Sequence, residues 1–171
     1  IISVAIMFAV LAALSCGRKS GDKDVLKVAI PVSPVNLDTR VATDSYGIML
    51  SRLIGDGLFK INEKLEMVPN LVESYEQPND TTYVFRLRKG VKFHDGTDFN
   101  ADAVVFNYER WRFTDNPYHF DTQVFEYYEY MWGGFDDDSV ITAVTALDEY
   151  TVEFTLRDPL APFLANLAMD M

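Results

Sequence analysis

The hydrophobic pattern changes period several times along the chain, and each change marks an element. In "VLKVAI", Leu26, Val28 and Ile30 share one face, which predicts a strand over Val25 to Ile30. Past the two prolines of "PVSPVNLDTRVATD", Tyr46, Met49, Leu50, Leu53 and Ile54 recur at helical spacing. They predict a helix from Ser45 to Ile54, ended by Gly55 and Gly57. "GLFKIN" reads as a short strand, "EKLE" as a turn, and "MVPNLVESY" as one helical turn after Pro69. "TTYVFRLRKG" alternates, with Tyr83, Phe85 and Leu87 on one side and Arg86 and Arg88 on the other.

After "VKF", His94-Asp95-Gly96 turns the chain, because Asp-Gly accepts positive φ at little cost. Asn100 is a suitable N-cap, Asp102 complements the dipole of the first turn, and Ala101, Val104, Val105, Tyr108 and Trp111 or Arg112 form a buried stripe. From Thr114 to Asp138 the sequence is irregular and aromatic. "SVITAVTALDEYTVEFTLRD" predicts a hairpin turning at Asp148-Glu149, with Tyr150, Val152, Phe154 and Leu156 on one face of its second arm. "PLAPFLANLAM" opens a last apolar helix near Pro159. The sum is a mixed α and β architecture, a sheet covered by helices.

Composition narrows the function. The chain has 171 residues, 49% of them hydrophobic and 13% aromatic, enough to bury a core. A formal charge of −11 would repel a phosphate backbone and argues against nucleic-acid binding. Residues 1–15, "IISVAIMFAVLAALS", carry no charge and have the length of a signal-peptide apolar region. They lead to Ser15-Cys16-Gly17, which resembles a bacterial lipobox, and Cys16 is the single cysteine of the chain. With no disulfide partner, that thiol is read as a lipidation site. The polar stretch 16–24 is read as a tether.

Chemistry-bearing motifs are scarce. The Gly90-to-Gly96 stretch lacks the spacing of a phosphate-binding loop, and Asp95 would repel phosphate. His94 and His119, the two histidines, have no Cys or Glu at metal-ligand spacing. "DDDS" from Asp136 lacks the alternating acids, Gly and distal Glu of a calcium loop, and reads as a solvated turn. No nucleophile elbow or H-E-x-x-H is present, and no carboxylate pair stands out from the rest. No cofactor or metal is expected. The aromatics from Tyr118 to Phe135 are read mainly as packing, with Tyr118 open to a cleft role.

These stretches combine into a known pattern. Gly57-Leu58-Phe59, Pro69 to Tyr75, Leu87 to Phe93, and His94-Asp95-Gly96 before a helix resemble the family 5 extracellular solute-binding proteins, the peptide, oligopeptide and nickel receptors of ABC importers. Ala103 departs from it, standing where the family has Asp. The resemblance, over Val25 to Met171, implies a periplasmic-binding-protein type II-like α/β fold of two lobes that close on a ligand. Residues 25–54 would begin the N-terminal lobe, and 55–171 would form an accessory α/β domain and start the return. It further implies that Thr43, Asp44, Ser45 and Tyr46 lie at the cleft edge and that Tyr118 approaches the ligand. The His94 corner would then be scaffold. The expected protein is a monomeric, lipid-anchored receptor outside the cytoplasmic membrane that binds peptide and delivers it to an ABC permease. Nickel or an oligosaccharide as ligand, or an exported hydrolase, are the alternatives.

Overall fold

The computed structural model describes residues 25–38, 41–120 and 125–168, so Cys16 and the apolar stretch before it lie outside the described residues. The chain divides into two units, residues 1–31 and 32–171. In the first, residues 25–31 form no strand, contrary to the alternation of "VLKVAI", and Val25, Leu26 and Val28 are exposed. A strand needs a neighbour for its N–H and C=O groups, and no described strand pairs with this one.

The second unit runs α1 (Ser45–Ile54), β1 (Phe59–Ile61), β2 (Met67–Pro69), β3 (Val72–Asn79), β4 (Thr82–Leu87), α2 (Ala101–Arg112), α3 (Glu126–Trp132), β5 (Ile141–Asp148), β6 (Thr151–Leu156) and α4 (Phe163–Asn166). Antiparallel pairing gives a sheet of order β3-β4-β6-β5 and a separate hairpin of β1 and β2. The predicted helical turn after Pro69 does not form. Pro69 closes β2 and pairs with Phe59, while Val72 opens β3 opposite Leu87, so sheet pairing overrides the local reading.

Register puts one face of the sheet inward. Phe85 lies opposite Val152, and Tyr83 opposite Phe154, which in turn faces Val144 on β5. A one-residue slip would move all of these to solvent, and each buried aromatic or aliphatic side chain contributes roughly 1.5–3 kcal/mol. The helices cover that face. Ala101, Val104, Tyr108 and Trp111 of α2 are buried, as are Tyr128 and Trp132 of α3 and Phe163 of α4. Phe163 contacts Tyr83, Phe85, Phe154 and Trp132. The helix α3 is an element the aromatic run concealed, because Tyr, Phe and Trp are indifferent helix formers.

Two joints fix α2 to the sheet. Asn100 accepts the Ala103 N–H at 2.9 Å as N-cap, and the Ala101 N–H donates to the Glu149 carbonyl in the β5–β6 turn at 2.9 Å. Before it, the Phe93–Phe99 corner closes on itself. Asp95 accepts from Thr97 N and Oγ1, Phe93 N donates to the Thr97 carbonyl, and Gly96 sits at φ +88. His94 is exposed there.

The face α1 buries is not the one that carries its large apolar residues. Met49, Leu53 and Ile54 are exposed, whereas Gly47 and Ser51 are buried. The cause is a close backbone approach: a Cβ on Gly47 would lie 2.6 Å from the Asn36 carbonyl oxygen. The small residues therefore face the preceding loop, and the large ones face outward.

Candidate ligand-binding surface

The run Thr43 to Tyr46 enters α1. Asp44, in extended backbone at φ −89 and ψ 147, is the helix N-cap. Its Oδ1 accepts from Gly47 N at 2.8 Å and Tyr46 N at 3.1 Å, and its Oδ2 accepts from Val35 N at 3.2 Å. The Gly47 bond is the main cause that holds this carboxyl below the usual carboxylate range. Both oxygens of Asp44 are thus engaged within the chain. Thr43 and Ser45 present exposed side chains beside it, and Tyr46 is half-buried.

Tyr118 belongs to another part of the fold, the loop that follows α2. It is 52% exposed, and its ring stands edge-on to Phe106 of α2 with centroids 5.3 Å apart. The Arg110 guanidinium lies 5.8 Å from the Phe106 ring centre. Two aromatic rings and a cation therefore share one outward face of α2. The structure brings Thr43 to Tyr46 together at a helix start and sets Tyr118 on this second surface.

The loop itself is tightly held. Asp136, at φ 50 in the Asp136–Asp138 3₁₀ turn, accepts from Thr114 N at 3.0 Å and Thr114 Oγ1 at 2.6 Å. These bonds, the hydroxyl first, hold the Asp136 carboxyl below the usual range, and His119 and Arg112 add to the effect. The sequence reading of "DDDS" as a solvated turn missed this role, since Thr114 is 22 residues away. His119 is 5% exposed, with Nδ1 3.2 Å from the Arg110 carbonyl oxygen and its ring against Phe125 and Phe135. Of the aromatic tract, Phe125, Tyr128 and Trp132 are core, while Tyr118, Phe120 and Tyr130 are exposed.

A cavity of about 80 Å³, lined among others by Leu58, Phe93, Asn107, Tyr108, Trp111 and Leu167, opens beside α2. Its lining comes from distant parts of the chain, which no local pattern could reveal. Among the described residues, no group of three or more His, Cys, Asp or Glu could hold a metal ion. No helix among them is long and apolar enough to cross a membrane.

Comparison with known proteins places this geometry. Residues 66–170 match the model of the bacterial extracellular solute-binding proteins, family 5, middle region. The chain is 44% identical over 120 residues to the dipeptide-binding protein of Escherichia coli K12, covering 66% of this chain and 22% of that protein. It is 32% identical over 142 residues to the glutathione-binding protein GsiB of Pectobacterium atrosepticum, covering 82% of this chain and 25% of that protein. Among solved structures, the dipeptide binding protein of Pseudoalteromonas sp. SM9913 in complex with Met-Leu superposes with a TM-score of 0.70 at 28% identity, over 80% of this chain and 28% of that one. The periplasmic binding protein DppA of Helicobacter pylori, in complex with the peptide STSA, gives 0.66 at 31% identity, over 77% and 27%. The chain thus has the fold of part of a periplasmic peptide-binding protein, and it spans about a quarter of the length of these relatives.

Proposed function

Since the chain belongs to the family 5 bacterial extracellular solute-binding proteins, we propose that it is part of a receptor that captures short peptides outside the cytoplasmic membrane and passes them to an ABC permease. The observation that carries this reading is the 44% identity to a dipeptide-binding protein. The fold shared with a receptor holding Met-Leu supports it. The reading involves binding without catalysis.

In this proposal residues 25–54 begin one lobe of a two-lobe receptor, and 55–171 form the accessory domain and the start of the return. Peptide lies between lobes that close by a hinge, held partly through its backbone in the manner of an added strand. Tyr118, backed by Phe106, approaches the ligand from the accessory domain. Thr43, Ser45 and Tyr46 line the cleft edge, and Asp44 shapes that edge as the cap that holds α1. Cys16 carries lipid and tethers the receptor, which acts as a monomer.

Relatives named for dipeptides and for glutathione, a tripeptide thiol, support short peptides as the ligand class. Mass spectrometry of small molecules released by denaturing the purified full-length protein tests the reading. Short peptides at near one per protein are expected. A sugar or a nickel chelate in their place would overturn it.

A further inference from the structure

Tyr118 and His119 are neighbours in sequence yet point to opposite environments: one is 52% exposed and the other 5%. Such a split needs the backbone between them to be fixed, and the loop carries the means. At its start, the Thr114 N–H and hydroxyl both donate to Asp136. In its middle, Asn116 N donates to the Phe113 carbonyl, and Asn116 Oδ1 accepts from Tyr118 N at 3.0 Å. At its end, His119 N donates to the Asn116 carbonyl, while the imidazole fills a pocket made by Phe125, Phe135 and the Arg110 carbonyl. Asp136 holds its acceptors in place from a left-handed backbone at φ 50, a conformation Asp tolerates better than most residues.

We propose that the Thr114–Asp136 clasp and the inward-turned His119 are a positioning device, which holds Tyr118 outward against Phe106 as a preformed contact for the peptide. This rests on the reading of Tyr118 as a ligand contact. The gain is preorganisation: a loop ordered before binding loses little conformational freedom when the ligand arrives. Asp136 and Thr114 touch no ligand in this account. They act through Tyr118.

Thr114→Val removes the hydroxyl donor, keeps the β-branched shape and leaves the N–H bond to Asp136. The test is peptide affinity of the full-length protein by titration calorimetry, with Met-Leu as probe, for Thr114→Val, Tyr118→Ala and the double variant. Melting temperature is recorded alongside. Thr114→Val should weaken binding on the order of tenfold, the scale of one charge-assisted hydrogen bond. Thr114→Ser should restore it, and Thr114→Val should add nothing once Tyr118 is Ala. Asp136→Gly, which tolerates the same backbone and removes both acceptors, should reproduce the loss and serves if Thr114→Val does not fold. Wild-type affinity in Thr114→Val, with a clear loss in Tyr118→Ala, would overturn the clasp and leave the ligand role of Tyr118 standing. No loss in Tyr118→Ala would overturn that role and the proposal with it. Equal losses from Thr114→Val in both backgrounds would show that the clasp acts on the fold instead of on Tyr118.

Discussion

Tyr108 of α2 stands edge-on to Phe154 of β6, with ring centroids 4.8 Å apart and planes at 89°. This contact pins the helix to the centre of the sheet, and Tyr108 is only 5% exposed. Burial pushes that phenol well above its ordinary range, and burial pushes Tyr128 up to about 12. A group whose pKa is raised by folding stabilises the fold below its unfolded value, and that stabilisation is lost as pH rises through the folded value. Ultraviolet absorbance and circular dichroism followed together as pH rises test this placement. Tyr108 and Tyr128 should ionise only with the loss of circular dichroism at higher pH. Ionisation of Tyr108 and Tyr128 while the fold persists would contradict the buried placement.

The β1–β2 hairpin contains a residue that its backbone does not suit. Leu65 is 85% exposed and sits at φ 61, while its N–H donates to the Asn62 carbonyl and Asn62 Oδ1 accepts from Lys64 N and Glu66 N. Glycine adopts this conformation without strain, and almost no packing would be lost. Leu65→Gly should raise stability by about 0.5–1 kcal/mol, after the larger unfolded-state entropy of glycine is set against relief of strain. A lower urea midpoint would mean that the Leu65 side chain packs in the folded state.

Gly96 poses the opposite case. A Cβ there would meet nothing within 4 Å, so the cost of substitution is one of backbone alone at φ +88. Gly96→Val should destabilise by on the order of 1 kcal/mol or more, and folded molecules should bind peptide as before. A large affinity loss at unchanged melting temperature would move this corner from scaffold to binding site.

How far the sequence predicted these features depended on the range of the forces involved. Asn100, Gly96 and the alternation of Tyr83, Phe85 and Leu87 act within a few residues, and the structure has each where the pattern put it. The β5–β6 hairpin was equally legible, because its turn and both faces are local. The inward face of α1 was not, since the Asn36 carbonyl decides it from outside the helix. The same holds for the strand β3, where pairing with β4 outweighs the proline signal. On the candidate surface, Tyr118 is proposed as a ligand contact through family resemblance alone, and the Thr114–Asp136 clasp in its loop spans too much sequence to be seen as a motif.

Cys16 lies outside the described residues, and its proposed role comes from the apolar run and the Ser15-Cys16-Gly17 junction. Each buried methylene of an acyl chain contributes roughly 0.8 kcal/mol, so two or more chains give durable anchoring. Cys16→Ser in the full-length protein should move it from the membrane fraction to the soluble one. Retention of the variant on membranes at the wild-type level would exclude lipidation of this residue as the anchor.

The most direct measurement is titration calorimetry of the full-length protein, freed of carried ligand by unfolding and refolding, against a panel of di- and tripeptides. The peptides are recovered afterwards and analysed by chromatography. A receptor of this kind should bind at least one short peptide with one-to-one stoichiometry and micromolar or tighter affinity, and should return it intact. Absence of binding across the panel, or recovery of the peptides as free amino acids, would contradict peptide capture as the function.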